Sequence, residues 1–448
     1  MINTFRKQFE QFTIAQQLFR WTLLSVPLAL VVGSLVALFL WLLDEATKLQ
    51  WQYTWLLYAL PLAGVLIYFL YQYWGKKAEA GNNLIMDEIH EPGGGVPLRM
   101  TPLVLFTTII THLFGGSAGR EGTAVQMGGS IASLLARWFT LSKQDTSTLL
   151  MCGIAAGFGA VFGTPVTGAI FALEVLAVGR ISHHALMPCF ISAVLADITC
   201  SAYGITHTHY HITFSNVMQS SMPYLHVDAA LLLTVIAAGI AFGITGFIFA
   251  ELSHTIKNYS NRWIKIKWLT PFIGGLMIIA LTWLLGTRDY LGLGVTNPTG
   301  GASIVSAFEA DGVSTFSWAW KLLFTAITIG MGFKGGEVTP LFFIGAALGN
   351  SIAVLTGAPV DLMAGLGFIA VFAAATNTPI ACAIMGVELF GGQYLLYYAI
   401  ATFTAYYFSG HSGIYLSQKI GVSKTHPQQA ITDTTVRQAR NKRIHKKD

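Results

Sequence analysis

Long apolar stretches recur along this chain, and they limit its fold more than any other feature of the sequence. The clearest cover residues 23–43, 56–73, 231–250, 271–285 and 396–408. A helix that spans a bilayer needs about 20 predominantly apolar residues. Only 10% of the residues are charged, whereas a soluble domain has about 25%, so the charged helix faces of a large soluble protein are missing. The sequence therefore predicts an all-α polytopic membrane protein.

Basic residues concentrate at the two ends of the chain, whose formal net charge is +5. They are Arg6, Lys7 and Arg20 near the N-terminus and Lys424, Arg437, Arg440, Lys442, Arg443, Lys446 and Lys447 near the C-terminus. Because positively charged segments stay on the cytoplasmic side, both termini are predicted to be cytoplasmic. A basic tail can also bind nucleic acid, but a solvated juxtamembrane tail explains this composition, and we predict no nucleic-acid partner. The first apolar stretch lacks a small-residue cleavage site, which favours a helix over a signal peptide.

Two segments with the sequences FGTPVTGAIFALE and TNTPIACAIMGVE indicate an internal repeat. They place Pro165 and Glu174 at the same spacing as Pro379 and Glu388. Chance similarity between apolar stretches is the alternative. Paired halves with discontinuous helices are typical of transporters whose binding site lies at the repeat interface. The two glutamates themselves are predicted to cap loop amides or helix N-termini.

The repeat divides the chain into five predicted parts. Residues 1–20 form a cytoplasmic N-terminal segment, 21–205 the first membrane repeat, 206–226 an inter-repeat loop, 227–420 the second membrane repeat and 421–448 a basic cytoplasmic tail. Three apolar segments, 81–90, 163–175 and 340–355, are short or interrupted by glycine and proline. They predict broken helices, which a membrane tolerates only where the freed backbone lines a cavity or is buried in protein.

A glycine-rich turn with the sequence GSAGREGTAVQMGGS places a carboxylate, Glu121, between apolar runs. A second turn, Gly336-Glu-Val-Thr-Pro340, corresponds to it loosely in the other half. Both turns precede a segment able to form a helix, and a helix N-terminus attracts anions through its unpaired N–H groups. Ionised Glu121 would occupy the anion position itself, and protonated Glu121 would leave it. A structural salt bridge between Glu121 and Arg120 is the alternative.

Four motifs in order resemble the CLC family of chloride channels and anion/proton antiporters, over about residues 20–420. Gly119-Arg-Glu-Gly122 is similar to the family's GREGP stretch, the segment ending at Glu174 to the helix that follows it, and Gly336–Pro340 to the GxFxP motif, while Tyr415 falls at the anion-coordinating tyrosine. The resemblance implies an inverted repeat with many tilted and broken helices, and Glu121 as the gating glutamate. It also implies a homodimer with one pathway per subunit, and two-fold assembly is the commonest default.

Departures from the common family pattern resemble the fluoride-exporting branch, CLC-F. Asn82 replaces the serine that hydrogen-bonds the central anion, Thr123 replaces the proline after GREG, Val175 replaces the inner proton-transfer glutamate, and Val338 and Thr339 stand within GxFxP. Fluoride is strongly hydrated, and an amide NH2 offers two donors where a hydroxyl offers one. Thr123 and Thr339 would add hydroxyls along the path. A packing role for Asn82 is the alternative.

The resemblance therefore implies a bacterial inner-membrane fluoride/proton antiporter that exports cytoplasmic fluoride in exchange for inward protons. Glu121 would gate the pathway and carry the proton. The implied anion-binding residues are Asn82, Gly122, Thr123, Val338, Thr339 and Tyr415. With Val175 at the inner position, either Glu121 itself or water carries the proton to the inner side. The predicted partners are fluoride (or chloride), protons, the lipid bilayer and a second copy of the chain.

Two other functions fit parts of the sequence. A chloride/proton antiporter or a chloride channel would have the same fold, and the relative flux of fluoride and chloride separates them from a fluoride exporter. A membrane-embedded enzyme with Glu121 as its acid–base group is disfavoured, because the sequence has no HExxH motif, nucleophile elbow or carboxylate pair. We therefore predict a secondary active transporter, no enzyme activity and no cofactor.

Two charged residues lie near the second glycine turn, and their roles are predicted from their places in the sequence alone. Glu337 is predicted to point away from the ion, because a second carboxylate at the site would repel an anion. Lys334 is predicted to be an ordinary interfacial lysine, and the alternative is that it draws anions into a vestibule.

No metal site is predicted. His207, His209 and His211 would share one face of an extended segment, and three histidines can bind zinc. No carboxylate or cysteine lies near them in the sequence, so an ordinary inter-helix loop is favoured. The four cysteines lack CxxC spacing and are predicted to be packing residues; they are Cys152, Cys189, Cys200 and Cys382.

Overall fold

The computed structural model describes residues 10–214, 228–425 and 434–445, and these residues are mostly helical. The α-helices of the described residues are α1 (Glu10–Gln52), α2 (Leu60–Leu70), α3 (Asn82–His90), α4 (Met100–Leu113), α5 (Glu121–Trp138), α6 (Lys143–Phe162), α7 (Pro165–Glu174), α8 (Leu186–Ala202), α9 (Ala229–Trp263), α10 (Leu269–Leu285), α11 (Ser317–Gly330), α12 (Val338–Thr356), α13 (Val360–Thr376), α14 (Pro379–Phe390), α15 (Leu395–Phe408) and α16 (Val436–His445). Single helical turns at Thr54–Ala59, Tyr71–Gly75, Lys76–Ala80, His183–Ala185, Ser306–Phe308 and Gly392–Tyr394 connect them. Parts of the predicted N-terminal segment, inter-repeat loop and tail lie outside the described residues, and Arg6, Lys7, Lys446 and Lys447 lie there too.

Several helices have the length and composition of membrane spans. Within the described ranges, six helical segments are long and apolar enough to cross a membrane; they are Glu10–Gln52, Thr54–Ala80, Lys143–Phe162, His183–Ala202, Ala229–Trp263 and Val338–Thr356. Large apolar side chains such as Trp263, Leu284 and Leu355 are each 76% exposed on the outer surface. Many large apolar side chains exposed in this way indicate contact with lipid. The prediction of an all-α membrane protein is confirmed.

The prediction of a broken helix is wrong for one of the three segments. Residues 340–355 belong to α12, a continuous helix of 19 residues. Pro340 lies in its first turn, where the missing N–H of a proline costs no intrahelical hydrogen bond. The other two segments are short helices, because α3 has 9 residues and α7 has 10.

Glycines bring helices close together at corresponding places in the two halves. In the first half α5 packs on α6, and in the second half α12 packs on α13. A Cβ on Gly128 would overlap the carbonyl of Gly153, and a Cβ on Gly345 would overlap the carbonyl of Gly367. Small residues permit such close contact between helices in a membrane. These contacts hold α5 and α12, which follow the two glycine turns, deep inside the protein.

The C-terminal tail docks on the helical body, so the prediction that it is solvated is wrong for its described part. Arg440 and Arg443 of α16 form ion pairs with Glu251 of α9, with N–O distances of 2.9 and 3.0 Å. Val436 is 1% exposed. Just before the tail, strand β2 (Lys419–Ile420) pairs in parallel with β1 (Ala177–Val178). The tail therefore contacts both halves of the chain.

Candidate functional site

The two glycine turns lie against each other. The N–H of Gly119 donates to the carbonyl of Gly336 at 2.6 Å, and the N–H of Gly336 donates to the carbonyl of Gly119 at 2.8 Å. Helix α5 begins at Glu121 and α12 begins at Val338, so their N-termini meet at this junction. The first N–H groups of a helix lack intrahelical partners and carry partial positive charge. The junction is therefore suited to hold a negative charge.

The carboxylate of Glu121 occupies this junction and is 1% exposed. Oε1 accepts a hydrogen bond from the N–H of Val338 at 2.7 Å. Oε2 accepts from the N–H and the hydroxyl of Thr339, at 3.3 and 3.2 Å, and from the N–H of Arg120 at 2.9 Å. The guanidinium of Arg120 instead lies 5.9 Å from the centroid of the Phe162 ring. The described contacts of Glu121 are thus with helix N–H groups, and the alternative of a salt bridge with Arg120 is wrong.

Gly336 leaves the space that this carboxylate fills. A Cβ built on Gly336 would overlap the carboxylate of Glu121. Gly336 is not among the residues with positive φ, so its backbone angles are open to any residue. Glycine is needed here because the carboxylate packs directly on the backbone.

A cavity of about 430 Å³ lies beside this junction and is lined by Gly335 and Glu337. Lys257 and Ser260 of α9 also line it, and α16 is ion-paired to Glu251 of the same helix, so we refer to it as the tail-side cavity. Asn82, the first residue of α3, lines it together with Gly335 and Tyr415. The amide nitrogen of Asn82 faces Gly122, because it lies 3.5 Å from the position of a Cβ on that glycine. Its amide oxygen has no hydrogen-bond partner among the described residues. Because the amide oxygen can only accept, the NH2 group that faces Gly122 is the part of Asn82 that could donate to an anion in the cavity.

The loop that carries Tyr415 lies in the second half of the chain and is tied to the first half by hydrogen bonds. Tyr415 is 5% exposed. The N–H of Ser417 donates to Oδ1 of Asn83 at 2.9 Å, which ties the loop to the turn of Asn82. The side-chain amide of Gln418 donates to the carbonyl of Val175 at 2.8 Å. These bonds fix the position of Tyr415 relative to Asn82.

A half-buried lysine from the tail adds to this support. Nζ of Lys424 donates to Oδ1 of Asn377 at 2.6 Å and to Oγ of Ser409 at 3.1 Å. Asn377 in turn donates to the side chain of Gln418 at 2.9 Å. Burial lowers the pKa of Lys424 to about 6. Lys424 is therefore a structural residue of the Tyr415 loop rather than part of a solvated basic patch.

The two threonines of the predicted site differ in their contacts. The hydroxyl of Thr339 donates to Glu121, as described above. The hydroxyl of Thr123 is 2.6 Å from that of Thr108 and joins α5 to α4. This corrects the expectation that both hydroxyls lie along the path. The hydroxyl of Thr123 is taken up by Thr108, but the backbone N–H of Thr123 lies in the first turn of α5 and remains available to an anion.

Two charged side chains, Glu337 and Lys334, line the tail-side cavity. The sequence did not predict this position for Glu337 and allowed two alternatives for Lys334. Glu337 was expected to point away from the ion, but it lines the same cavity as Asn82 and Tyr415. Lys334 also lines the cavity, and its Nζ lies 4.2 Å from the centroid of the Tyr71 ring. Lys334 therefore has the position that the vestibule alternative requires. The only sequence feature that could have indicated that Glu337 lines this cavity is its place beside Gly336.

Two further cavities lie on the other side of Glu121. The larger, of about 370 Å³, is lined by residues that include His112, Arg120 and Thr208, and we refer to it as the far-side vestibule. The smaller, of about 20 Å³, is lined by residues that include Arg120, His207 and Thr339, and we refer to it as the far-side pocket. Because Thr339 also bonds Glu121, the Glu121 carboxylate lies between the far-side pocket and the tail-side cavity.

The three histidines of the loop do not form a metal site. His207 lines the far-side pocket, whereas His209 and His211 line a separate cavity. Within the described ranges, no group of three or more metal-binding side chains was found. The four cysteines are free and buried, as predicted.

Glu174 and Glu388 cap each other's helices across the two halves. Glu174, at the end of α7, accepts from the N–H groups of Ile380 and Ala381 at 3.1 and 2.8 Å. Glu388, in α14, accepts from the N–H groups of Val166 and Thr167 at 2.9 and 2.8 Å. Each carboxylate thus occupies the N-terminus of the helix that corresponds to its own. The predicted capping role of both residues is confirmed.

The substitution Glu388→Gln is expected to destabilise the protein by about 1–3 kcal/mol, because it removes the charge and one acceptor from a capped helix end. A lower midpoint of thermal unfolding in detergent would report this loss. Glu91→Gln, at an exposed carboxylate after α3, is the control and should unfold as the wild type does. An unchanged midpoint for Glu388→Gln would contradict the capping role.

Comparisons with known proteins agree with the fold. The family model described as "Voltage gated chloride channel" matches residues 63–410. A "Chloride/fluoride channel protein" of Pseudomonas syringae pv. tomato is 45% identical over 425 residues, which cover 95% of this chain and 92% of the relative. A "Putative chloride channel protein ClcB-like" of Ralstonia nicotianae is 29% identical over 391 residues, or 82% of this chain and 84% of the relative.

Solved structures show the same architecture. The crystal structure of a CLC-type fluoride/proton antiporter matches with a TM-score of 0.83 and 36% identity, and the match covers 90% of this chain and 98% of that one. A slow cyanobacterial Cl⁻/H⁺ antiporter matches with a TM-score of 0.71 and 21% identity, covering 87% of this chain and 94% of that one. The second likeness concerns the fold alone. The predicted inverted-repeat architecture is confirmed.

Proposed function

The chain belongs to the voltage-gated chloride channel family, and we propose that it is a fluoride/proton antiporter. One observation carries the proposal: the Glu121 carboxylate is hydrogen-bonded to the N-terminus of α12, between a tail-side and a far-side cavity. A titratable group that occupies an anion position can exchange with the anion when it gains a proton. Intramembrane carboxylates commonly mark ion or proton pathways. One residue therefore both closes the path and carries the proton.

The exchange follows from the charge at the junction. Ionised Glu121 is stabilised by the N–H groups of Val338 and Thr339. Protonation removes the charge that these N–H groups bind, so the side chain leaves and an anion takes its place. The protonated carboxyl moves to the tail-side cavity and releases its proton there. Deprotonation then returns the carboxylate to the junction and expels the anion.

Fluoride is the proposed anion because the site offers strong donors at close range. Asn82 supplies an amide, Tyr415 a phenol, and the turns at Gly122 and Val338 supply backbone N–H groups. A small, strongly hydrated ion needs several such donors to replace its water. The similarity to a CLC-type fluoride/proton antiporter supports this choice over chloride.

The test is to follow fluoride and protons together in liposomes that contain the purified protein. A fluoride gradient should drive protons in the opposite direction, and a proton gradient should drive fluoride uphill. Chloride at the same concentration should compete poorly. Chloride that permeates as readily as fluoride would support the rival function, a chloride/proton antiporter or chloride channel.

Glu337 is the proposed group that receives the proton on the tail side, where Val175 leaves no carboxylate. The substitution Glu337→Gln should lower fluoride-driven proton flux by about 10- to 100-fold, because a positioned proton acceptor contributes on this order or more. The paired fluoride and proton measurement reports it. Glu79→Gln is the matched control, because Glu79 lines the same cavity but is exposed. Proton flux that falls equally in both variants would argue against a specific role for Glu337.

For the orientation, we propose that the tail-side cavity faces the cytoplasm, since the basic tail docks there and positive segments stay inside. We also propose a homodimer, with a complete pathway in each subunit. Labelling of a single introduced cysteine in the tail of intact cells tests the first point. The mass of the detergent-purified protein tests the second.

A further inference from the structure

We propose that the far-side pocket is a binding site for one small monovalent anion, held by Arg120, His207 and Thr339; the proposal rests on the anion exchange at Glu121 described above. The pocket lies directly beyond the Glu121 carboxylate, because Thr339 both bonds that carboxylate and lines the pocket. It shares Arg120 and Thr208 with the far-side vestibule. An anion that leaves the junction on this side therefore meets the pocket first.

The pocket contains polar atoms that have no protein partner. Nε of Arg120 and both ring nitrogens of His207 are buried and lack hydrogen-bond partners among the described residues. Buried polar atoms are nearly always paired, and an unpaired one is costly. The residues that line the pocket include no acidic side chain. Cationic and neutral donors without an acidic partner fit an anion rather than a cation.

The size of the pocket limits the guest to one small ion. Its volume is about 20 Å³, and a cavity of roughly 10–15 Å³ or more on this measure holds a single water molecule. The walls are aromatic, and the rings of Phe342 and Phe368 stack with centroids 3.9 Å apart. Ring edges carry partial positive charge, so an anion in contact with them is favoured. Fluoride is close to water in size, whereas chloride is larger.

Substitution of His207 tests this site. Arg120 also lines the far-side vestibule and Thr339 also bonds Glu121, whereas His207 lines the far-side pocket and has unpaired ring nitrogens. Binding of sodium fluoride to the full chain in detergent should weaken about tenfold or more in His207→Ala, since a hydrogen bond to an ion is lost. The same variant should also widen the pocket and raise chloride flux relative to fluoride flux in liposomes. His207→Asn keeps a donor and should weaken binding less. His211→Ala, in the same loop but at a separate cavity, is the matched control and should bind fluoride as the wild type does.

The outcomes separate this inference from the proposed function. Wild-type protein that moves no fluoride would end the proposed antiport, whereas the binding titration would still test the pocket. Weaker fluoride binding and altered selectivity in His207→Ala, with His211→Ala unchanged, would support the site. Binding and selectivity that match the wild type in His207→Ala would overturn it, as would equal losses in the two variants. If His207→Ala does not fold, His207→Leu takes its place, because it removes both ring nitrogens and keeps much of the side-chain volume; wild-type binding together with wild-type selectivity in that folded variant would overturn the site.

Discussion

Fluoride-driven proton movement is expected to fall to background in Glu121→Gln. Glutamine has the shape of a protonated glutamate but cannot carry a proton through the cycle, and it brings no charge to the N–H groups of Val338 and Thr339. Neutralising the group also removes charge-assisted hydrogen bonds, which are about twice as strong as neutral ones. The junction is then free for an anion at all times. We expect passive, uncoupled fluoride movement or none at all.

The measurement is simultaneous recording of fluoride and pH in liposomes that contain equal amounts of folded protein. Glu91→Gln is the control, because Glu91 is exposed and lies outside the cavities described above. Glu121→Asp keeps the charge on a shorter side chain and should retain part of the coupling. Coupled proton movement that persists in Glu121→Gln would falsify the proposed role of Glu121.

The second large effect is expected from Gly336→Ala. This substitution keeps the Glu121 residue but fills the space that its carboxylate occupies. The new Cβ would overlap the carboxylate, while the backbone at Gly336 accepts alanine because its φ is not positive. Losing even one hydrogen bond to a charged group costs about 1.5–3 kcal/mol, which corresponds to a tenfold or greater change in occupancy. The ratio of protons to fluoride ions moved should therefore fall by about tenfold.

A double variant shows whether the effect passes through Glu121. Glu121→Ala removes the side chain that the new Cβ would strike and abolishes coupling, so the double variant is read by its thermal-unfolding midpoint, which Gly336→Ala should lower in the wild-type background but change little in this one. Gly93→Ala is the control, because a Cβ there meets nothing within 4 Å. Full coupling in Gly336→Ala, or midpoint losses that simply add in the double variant, would show that Gly336 does not position the carboxylate.

The sequence predicted the features that depend on local signals. The apolar stretches predicted membrane helices because a span needs a minimum length, and the glycine turns predicted that a helix follows each of them, as α5 and α12 do. The matched Pro and Glu positions predicted that Glu174 and Glu388 cap helices, because a carboxylate near an N-terminus has few other uses in an apolar setting.

Features that depend on distant partners were not predictable in the same way. The hydroxyl of Thr123 turns to Thr108 on another helix, and the sequence does not state which helices are neighbours. The tail docks because Arg440 meets Glu251, 189 residues away in the chain. Glu337, the residue just before α12, lines the tail-side cavity together with residues of α3 and of the Tyr415 loop, and these neighbours are brought together by tertiary packing rather than by position in a motif.

The reciprocal caps have a consequence for how the protein is made. Glu174 accepts a hydrogen bond from the N–H of Ile380, which is synthesised 206 residues later. The N–H of Val166, at the start of α7, donates to Glu388, which is synthesised 222 residues later. At synthesis rates of about 5–20 residues per second, the first half is in the membrane for roughly 10–40 s before these partners exist. During that time a buried carboxylate and a bare helix end are both unsatisfied, each at a cost in free energy. Completion of the second half therefore commits the first half to its final structure, and a nascent chain stalled between the halves should be the form most exposed to membrane proteases.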